Sequence, residues 1–403
     1  MKKILVVGAG EYQTTLIKRI IELGYEAYAV DYNRNAVGFS YATGYKVIDI
    51  MDRDACLAYA KELRIDAVMT YGATISLPTV AYIAKNLGLR ALPVETAEIS
   101  KSKYKIKKRL AEAGLNVKGD FFEMYSREDA KNYIFEYPCV IKPSDGSGSK
   151  GVSLVKSEKE LLKAIDYAFQ SARFGEVYCE GFIDGEEYSA EVFVCGDEIY
   201  VYSIVKTTFE RNGNENDGIS YGHRTPSGLD TKAKTLIEEE VEKAVRALGI
   251  NMCSVNFDVI MSNDDGKPYI IDCGIRIGQN LIASHLVPLS RGVSVIDNTV
   301  GLALGEDVDA EPKCERCVAT RLLIYTPGII SEIKDMSEVI GKNGVLDVVM
   351  RKKVGDVQRV YTDKSDNCGW VIVGGDTPDE AEANAEAARI RLRDYIVITP
   401  MEE

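Results

Sequence analysis

A glycine-rich loop that follows a lysine is the segment of this sequence best suited to chemistry. The apolar run 139–141 leads into Lys142, and the segment SDGSGSKG follows at 144–151. A lysine at the end of a buried strand must meet an anion, since burying a bare ammonium group is costly. A second apolar run follows the loop, which indicates a flap between two strands whose N–H groups can close over phosphates. The segment therefore predicts a phosphate site, with an ordinary flexible hairpin as the alternative.

Two aspartates in neighbouring apolar segments form a second candidate site. Asp258 lies within SVNFDVIM, and Asp272 lies within KPYIIDCGIR, with Arg276 close behind. The turn between the segments predicts adjacent strands that bring the two carboxylates side by side. Two such groups need a cation between them, and oxygen ligands suit Mg²⁺ that holds nucleotide phosphates. Arg276 could then stabilise a phosphoryl group during transfer, and the alternative is a pair of solvated strand ends with a surface salt bridge.

The first glycine loop of the chain gives a weaker signal for a dinucleotide. Gly8 and Gly10 match two positions of the dinucleotide-binding fingerprint, and Asp31 follows at a distance suited to a ribose hydroxyl. Gln13 stands where a third glycine would allow close packing of helix on strand. An NAD-dependent dehydrogenase is therefore one alternative, and a similar sheet that binds another ligand or none is the other.

The elements that must position these residues follow from the patterning. Strand and helix patterns alternate through residues 1–100 with short connections, which predicts a parallel, right-handed doubly wound sheet. Segments 187–195 and 198–206 predict an antiparallel hairpin. The polar, glycine-rich stretch 210–229 predicts a long loop, and its His223 and Arg224 are candidates for substrate contact.

Composition excludes several classes of function. The 403 residues contain 49 Lys plus Arg against 62 Asp plus Glu, so the net charge is −13 and a basic nucleic-acid surface is absent. No apolar run approaches the length that spans a bilayer, so no membrane partner is expected. The 9 cysteines are scattered through mainly apolar segments, which predicts a reducing, cytoplasmic location.

Taken in order, these motifs resemble the ATP-grasp superfamily of carboxylate–amine ligases over nearly the whole chain. Similar groups are biotin carboxylase, the carbamoyl phosphate synthase large chain, the purine-pathway ligases, which include phosphoribosylglycinamide synthetase, and bacterial L-amino-acid ligases. The resemblance rests on SK-x-x-x-K with LAEAG (102–114), VIKP (140–143), the flap 144–151, CEGFIDGEEYS (179–189), and NFD with IDCGIR.

The resemblance implies roles for several residues of these motifs. The ATP phosphates would be bound by two lysines and four lid residues: Lys103, Lys142, Gly146, Ser147, Gly148 and Gly151. A hinge would bind adenine through backbone hydrogen bonds and apolar contact, and a glutamate would bind the ribose: Glu180, Gly181, Phe182, Ile183 and Glu187. Asp258 and Asp272 would hold Mg²⁺, with Mn²⁺ as an alternative ion, and Arg276 and Lys142 would be the catalytic residues.

The implied fold class is mixed α/β and α+β, in three domains. They are a doubly wound pre-ATP-grasp domain (1–115), an ATP-grasp domain with a lid subdomain (116–305, lid 117–184), and a β-rich C-terminal α+β domain (306–403). The implied reaction activates a small-molecule carboxylate as an acyl phosphate, joins it to an amine, and releases ADP and phosphate. A homodimer is expected.

Two positions depart from the family pattern. Ser102 replaces the usual Asp before Lys103, and Gly274 stands where the family has an Asn metal ligand. The second departure predicts a weaker metal site. It also leaves open an alternative function, an ATP-binding regulatory protein that is weakened or inactive as a ligase.

Overall fold

The first part of the chain is a parallel sheet with helices on both faces. The computed structural model describes residues 1–146, 148, 150–210, 219–361 and 366–400. Four parallel strands are arranged in the order β3-β2-β1-β4: β1 Lys3–Val7, β2 Glu26–Asp31, β3 Gly44–Val47 and β4 Ala67–Met69. Alternate residues of β1 enter two different cores, because Leu5 and Val7 face one helix layer and Ile4 and Val6 face the other. This confirms the predicted doubly wound sheet.

Five helices accompany this sheet and lead out of it. They are α1 Glu11–Glu22, α2 Arg53–Leu63, α3 Leu77–Leu87, α4 Val94–Ile99 and α5 Lys103–Glu112. Ser102 caps α5, because its side chain accepts a hydrogen bond from the N–H of Lys105. A serine is a good helix cap, so the departure from Asp at this position leaves the helix start intact.

A small antiparallel sheet follows and carries the glycine-rich flap. Its order is β5-β8-β6-β7: β5 Phe122–Met124, β6 Cys139–Pro143, β7 Ser153–Val155 and β8 Val177–Gly181. Helix α6, Glu158–Ser171, packs on this sheet over an apolar core of its own. The subdomain therefore has an apolar core that is separate from the three other described cores of the chain.

The largest element is an antiparallel sheet of eight strands in the order β13-β12-β9-β10-β11-β14-β18-β16. The strands are β9 Gly185–Cys195, β10 Glu198–Glu210, β11 Ile219–Thr225, β12 Cys253–Ser262, β13 Pro268–Gly274, β14 Cys317–Leu323, β16 Val345–Met350 and β18 Gly369–Gly375. The predicted hairpin is therefore present as β9 and β10. The sheet is continuous across residue 305, because β11 pairs with β14.

The other elements cover this sheet or extend it. Helices α7 Thr231–Ala247, α8 Val287–Arg291 and α9 Val295–Leu304 precede β14. A three-stranded sheet and a last helix complete the C-terminal part: β15 Gly328–Ile333, β17 Val357–Gln358, β19 Ile396–Thr399 and α10 Pro378–Arg391. Within the described residues, no helix is long and apolar enough to cross a membrane.

The stretch predicted as one long loop at 210–229 is partly strand. Strand β11 lies inside it and pairs with both β10 and β14. Its Gly222 suits the close approach of β14, since a Cβ there would lie 2.4 Å from the carbonyl oxygen of Thr320. The glycine that suggested a loop is therefore a requirement of sheet packing.

Candidate functional site

Three adjacent strands bring the predicted carboxylates together. Asp258 on β12 lies opposite Asp272 on β13 and opposite Ser189 on β9, as the turn between the segments predicts. The hydroxyl of Ser189 donates to Asp258 at 2.8 Å. Alternate residues of a strand share a face, so Glu187 on β9 lies on the same face as Ser189. The predicted ribose residue and the predicted metal ligands thus share one face of the sheet, and Glu187 is half-buried there.

A bulge follows immediately after the pair of aspartates. Asp258 pairs with Asp272, but Val259 pairs with Ile270, so Ile271 is an extra residue in β13. The backbone of a bulged residue is left out of the ladder. The carbonyl oxygen of Ile271 instead accepts a hydrogen bond of 3.1 Å from Nζ of Lys142. The bulge therefore ties the lid lysine to the strand that carries Asp272.

Lys142 and Lys107 share one buried carboxylate. Glu180 accepts an ion pair from Lys142 at 2.5 Å and another from Lys107 at 2.9 Å. Each of the three residues is at most 8% exposed. Burial alone would raise the pKa of Glu180, but Lys107 and Lys142 outweigh it and lower the pKa to about 2. Burial lowers the pKa of Lys142, but its carboxylate neighbours raise it overall, so the lysine is charged.

Lys107 was not among the sequence-predicted site residues. Its Nζ also donates to the carbonyl oxygen of Ile270 at 2.8 Å, beside the bulge. Its signal in the sequence is the motif SK-x-x-x-K, which places it four residues after Lys103 and so on the same face of a helix. The side chain of Glu180 is likewise part of a charge cluster, whereas the resemblance implied only a hinge role.

The folded state gains stability from this arrangement in a pH-dependent way. A carboxyl whose pKa falls on folding stabilises the protein above its unfolded pKa, and this contribution is lost as the pH falls through the folded value. For Glu180 the window runs from the ordinary value of 4.5 down to about 2. We expect Glu180→Gln to lower the free energy of unfolding by about 3 kcal/mol at pH 7 and by much less at pH 2.5.

Urea unfolding at both pH values measures this difference. The control is Glu239→Gln, because Glu239 is exposed on α7. A Glu180→Gln variant that is as destabilised at pH 2.5 as at pH 7 would contradict the charge-based account.

Lys103 and Asp272 form a direct ion pair between α5 and β13. Burial raises the pKa of Asp272, but Lys103 and Lys142 outweigh it and lower the pKa to about 2. The backbone N–H of Lys103 donates to the carbonyl oxygen of Ser144 at 2.8 Å, at the start of the flap. Three cationic side chains therefore converge on the strand end that carries Asp272.

The predicted hinge lies next to this cluster. The N–H of Gly181 donates to Lys118 O at 3.2 Å, and the N–H of Phe182 donates to Pro138 O at 3.3 Å. A Cβ at Gly181 would lie 2.4 Å from Lys118 O, so the glycine is required by close packing. Ile183 is buried. An adenine bound at this hinge would therefore form hydrogen bonds only with the other backbone groups of the segment and would contact the segment's apolar side chains.

The flap is described in part. Gly148 and Gly151 have φ values of +67° and +79°, which glycine adopts without strain. Gly146 packs near Pro143. Ser147, a predicted lid residue, lies outside the described residues.

The guanidinium group of Arg276 lies over Gly274, the glycine that stands where the family has a metal ligand. A Cβ at Gly274 would lie 2.7 Å from Cζ of Arg276 and 2.8 Å from one terminal nitrogen. The Nε of Arg276 is buried, and it has no hydrogen-bond partner within the described part of the chain. The structure thus gives Gly274 a physical reason, because its missing side chain leaves room for the guanidinium group.

This geometry changes the expected effect of Gly274→Asn. By the family pattern alone, an asparagine would tighten Mg²⁺ binding. In the structure it displaces the guanidinium group, so we expect phosphoryl transfer to slow by about tenfold or more without tighter Mg²⁺ binding. A magnesium titration of turnover compares the two proteins, and a lower Mg²⁺ midpoint with full activity would refute this expectation.

The first glycine loop has its polar groups engaged by the chain itself. Asp31 accepts a hydrogen bond of 2.8 Å from the N–H of Ala9, and Gln13 accepts one of 3.0 Å from the N–H of Gly10. The side chain of Gln13 lies 3.3 Å from the position of a Cβ at Gly8. Gln13 therefore covers the turn where a pyrophosphate would bind, and the geometry gives no support to an NAD site.

The two candidate substrate contacts on β11 differ in their surroundings. Arg224 forms ion pairs with Asp379 and with Glu382, the latter at 3.0 Å. Both carboxylates belong to α10, so Arg224 joins the sheet to the last helix. His223 lines a small pocket together with Asn280 and Trp370.

Comparisons with known proteins agree with this geometry. Residues 100–279 match the model of the ATP-grasp domain, and residues 321–396 match that of the L-amino acid ligase C-terminal domain 2. The middle of the chain is therefore an ATP-grasp domain, and its last part is a C-terminal domain of the L-amino acid ligase type.

Solved structures with the same fold cover the whole chain. An L-amino acid ligase from Bacillus licheniformis has a TM-score of 0.82 at 23% identity and covers 100% of this chain and 99% of its own. A phosphoribosylglycinamide synthetase from Anaerococcus prevotii has a TM-score of 0.78 at 23% identity and covers 99% of this chain and 100% of its own. The predicted mixed fold class is thereby confirmed.

Curated relatives match over shorter stretches. An uncharacterised protein of Sinorhizobium fredii is 26% identical over 329 residues, which are 80% of this chain and 66% of that protein. A formate-dependent phosphoribosylglycinamide formyltransferase of Pseudomonas entomophila is 32% identical over 193 residues, which are 46% of this chain and 48% of the enzyme. The chain thus spans about half the length of the formyltransferase.

Proposed function

We propose that this protein is an ATP-dependent carboxylate–amine ligase. The observation that carries the proposal is the convergence of Lys103, Lys107 and Lys142 on the carboxylates of Glu180 and Asp272, with Asp258 directly opposite. A nucleoside triphosphate with its metal ion requires cations for the phosphates and carboxylates for the metal, and both are present at this strand end. The match to the ATP-grasp domain supports the same reading.

The carboxylates of Asp258 and Asp272 suit Mg²⁺. Among the described residues no group of three or more His, Cys, Asp or Glu side chains could hold a metal. That fits Mg²⁺ in a nucleotide site, since it is commonly held by one or two carboxylates, substrate phosphates and waters. The ion would neutralise phosphate charge, and Mn²⁺ is the alternative.

The chain's own residues position the reactants. Lys103 and Lys142 hold the phosphates once they exchange Asp272 and Glu180 for phosphate oxygens, and Arg276 offers its buried Nε and terminal nitrogens to the transferring group. A substrate carboxylate oxygen attacks the γ-phosphorus, and ADP leaves. An amine then attacks the acyl carbon, and phosphate leaves. No protein nucleophile takes part, so the rate depends on positioning and charge neutralisation.

The substrates that we propose are α-amino acids, one as the carboxylate and one as the amine. This rests on the L-amino acid ligase type of the C-terminal domain and on the fold shared with the Bacillus licheniformis ligase. A cytoplasmic location and a homodimer belong to the same proposal.

Product analysis tests the reaction type. The protein is incubated with Mg-ATP and pools of amino acids, and ADP, AMP, phosphate and pyrophosphate are measured. We expect ADP and phosphate only when a carboxylate is present, and hydroxylamine should trap the acyl phosphate as a hydroxamate. AMP and pyrophosphate would refute the scheme in favour of adenylation. Thermal stabilisation by NAD but not by Mg-ATP would refute it in favour of the dehydrogenase alternative.

A further inference from the structure

A buried carboxyl group near Arg276 has no role in the chemistry described so far. Glu191 lies on β9 and none of its surface is exposed. It lies opposite Asn256, which in turn lies opposite Gly274, so these three residues form the row beside the two aspartates. Burying a polar group without partners is unfavourable, so the contacts that hold this group indicate what it does.

One of these contacts is made with a residue outside the three strands. Oε1 of Glu191 accepts hydrogen bonds from the hydroxyl of Ser254 at 2.8 Å and from the N–H of Gly278 at 3.1 Å. Oε2 accepts from the amide of Asn256 at 3.2 Å. Ser254 and Asn256 belong to β12, whereas Gly278 belongs to the loop after β13 that carries Arg276. Glu191 therefore joins the rigid sheet to that loop.

The loop is shaped to receive this carboxyl group. A Cβ at Gly278 would lie 2.1 Å from Oε2 of Glu191 and 2.9 Å from its Cδ. At the other end of the loop, Gly274 leaves room for the guanidinium group of Arg276. Two glycines thus bracket Arg276, and one accommodates the residue's own side chain while the other accommodates the carboxyl group that holds the loop.

We propose that Glu191 is a positioning residue for Arg276, and this rests on the proposed ligase function. It acts as a hydrogen-bond acceptor for the N–H of Gly278, which fixes the loop so that the guanidinium group stays across Gly274. Donors held in place before the reaction stabilise a transferring phosphoryl group without the cost of reorganisation. Glu191 therefore contributes to the phosphoryl-transfer step and leaves nucleotide binding to the lysines.

The test uses Mg-ADP with and without aluminium fluoride, an anionic mimic of the transferring phosphoryl group, and calorimetry measures both affinities. The ratio of the two affinities isolates the contribution of Arg276. In Glu191→Met we expect this ratio to fall by about tenfold or more while the Mg-ADP affinity stays within about twofold, because only the acceptor for the loop is lost. Glu191→Gln keeps a carbonyl acceptor, so it should restore most of the ratio.

Three further variants make the result decisive. Glu240→Met is the matched control. Glu240 lies on α7, and its buried carboxyl group accepts a hydrogen bond of 2.7 Å from the N–H of Asn116. This variant should leave the ratio unchanged. Gly278→Ala forces the carboxyl group away and should lower the ratio even if Glu191→Met does not fold. In an Arg276→Ala background, Glu191→Met should have no further effect on the ratio.

The outcomes separate this inference from the proposed function. A native protein that binds no Mg-ADP overturns the ligase proposal and this inference with it. If Mg-ADP binds, a full ratio in folded Glu191→Met or in folded Gly278→Ala overturns the role of Glu191 alone. The same holds if Glu191→Gln loses as much as Glu191→Met, or if Glu191→Met still lowers the ratio without Arg276.

Discussion

Lys142→Ala is expected to weaken Mg-ATP binding by about a hundredfold, because it removes a buried cation from the centre of the site. In the structure this lysine contacts Glu180 and the carbonyl oxygen of the bulged residue. Its charge is therefore already held at the strand end where phosphates would bind.

The same substitution also affects stability. Glu180 keeps only Lys107 as its cationic partner, and breaking part of a buried ion pair leaves charge uncompensated. We expect the free energy of unfolding to fall by about 2–4 kcal/mol. A sequence-based view would leave the fold undisturbed, so the structure adds this cost.

Calorimetry with Mg-ATP and urea unfolding measure the two effects. Lys163→Ala is the matched control, because Lys163 is an exposed lysine on α6 of the same subdomain. Undiminished ATP affinity in a folded Lys142→Ala protein would rule out the phosphate role. An unchanged unfolding free energy would rule out the ion pair's contribution to stability.

Arg276→Ala is expected to slow phosphoryl transfer by about a thousandfold while Mg-ATP affinity stays within a few fold. The reason is that the guanidinium group lies in the space above Gly274, on the loop after β13, whereas the proposed phosphate contacts belong to the lysines. Its effect therefore belongs to the transition state and not to the ground state.

Single-turnover measurement of ADP formation, with a carboxylate substrate in excess, isolates this step. Arg291→Ala is the control, because Arg291 is an arginine at the end of α8 that forms an ion pair with Glu315. Equal losses in ATP affinity and in rate would show that Arg276 binds the ground state as well.

The sequence predicts the parts of the site that depend on short-range pattern. The turn between two apolar segments correctly places Asp258 beside Asp272, and the strand before the flap correctly ends in a buried Lys142. Both follow from period-two alternation and a turn signal, which local sequence carries.

The parts that sequence does not predict depend on contacts between distant segments. Lys107 is one of several basic residues on α5, and only the folded chain shows that it meets Glu180 across the site. Glu191 reads as an ordinary strand residue until the loop after β13 folds over it. The sequence predicts a loop where strand β11 lies, because the partners that make it a strand lie on β10 and on the remote β14.

Because of the bulge in β13, the site depends on how many residues this strand contains and not on which side chain stands at position 271. Lys142 uses the backbone carbonyl oxygen of Ile271, so many substitutions at that position should preserve the contact. Deleting Ile271 would instead remove the bulge and restore a regular ladder, with no free carbonyl oxygen left there for Lys142. Natural variants of this protein should therefore vary freely in the side chain at this position, whereas a deletion there should remove the contact between Lys142 and β13.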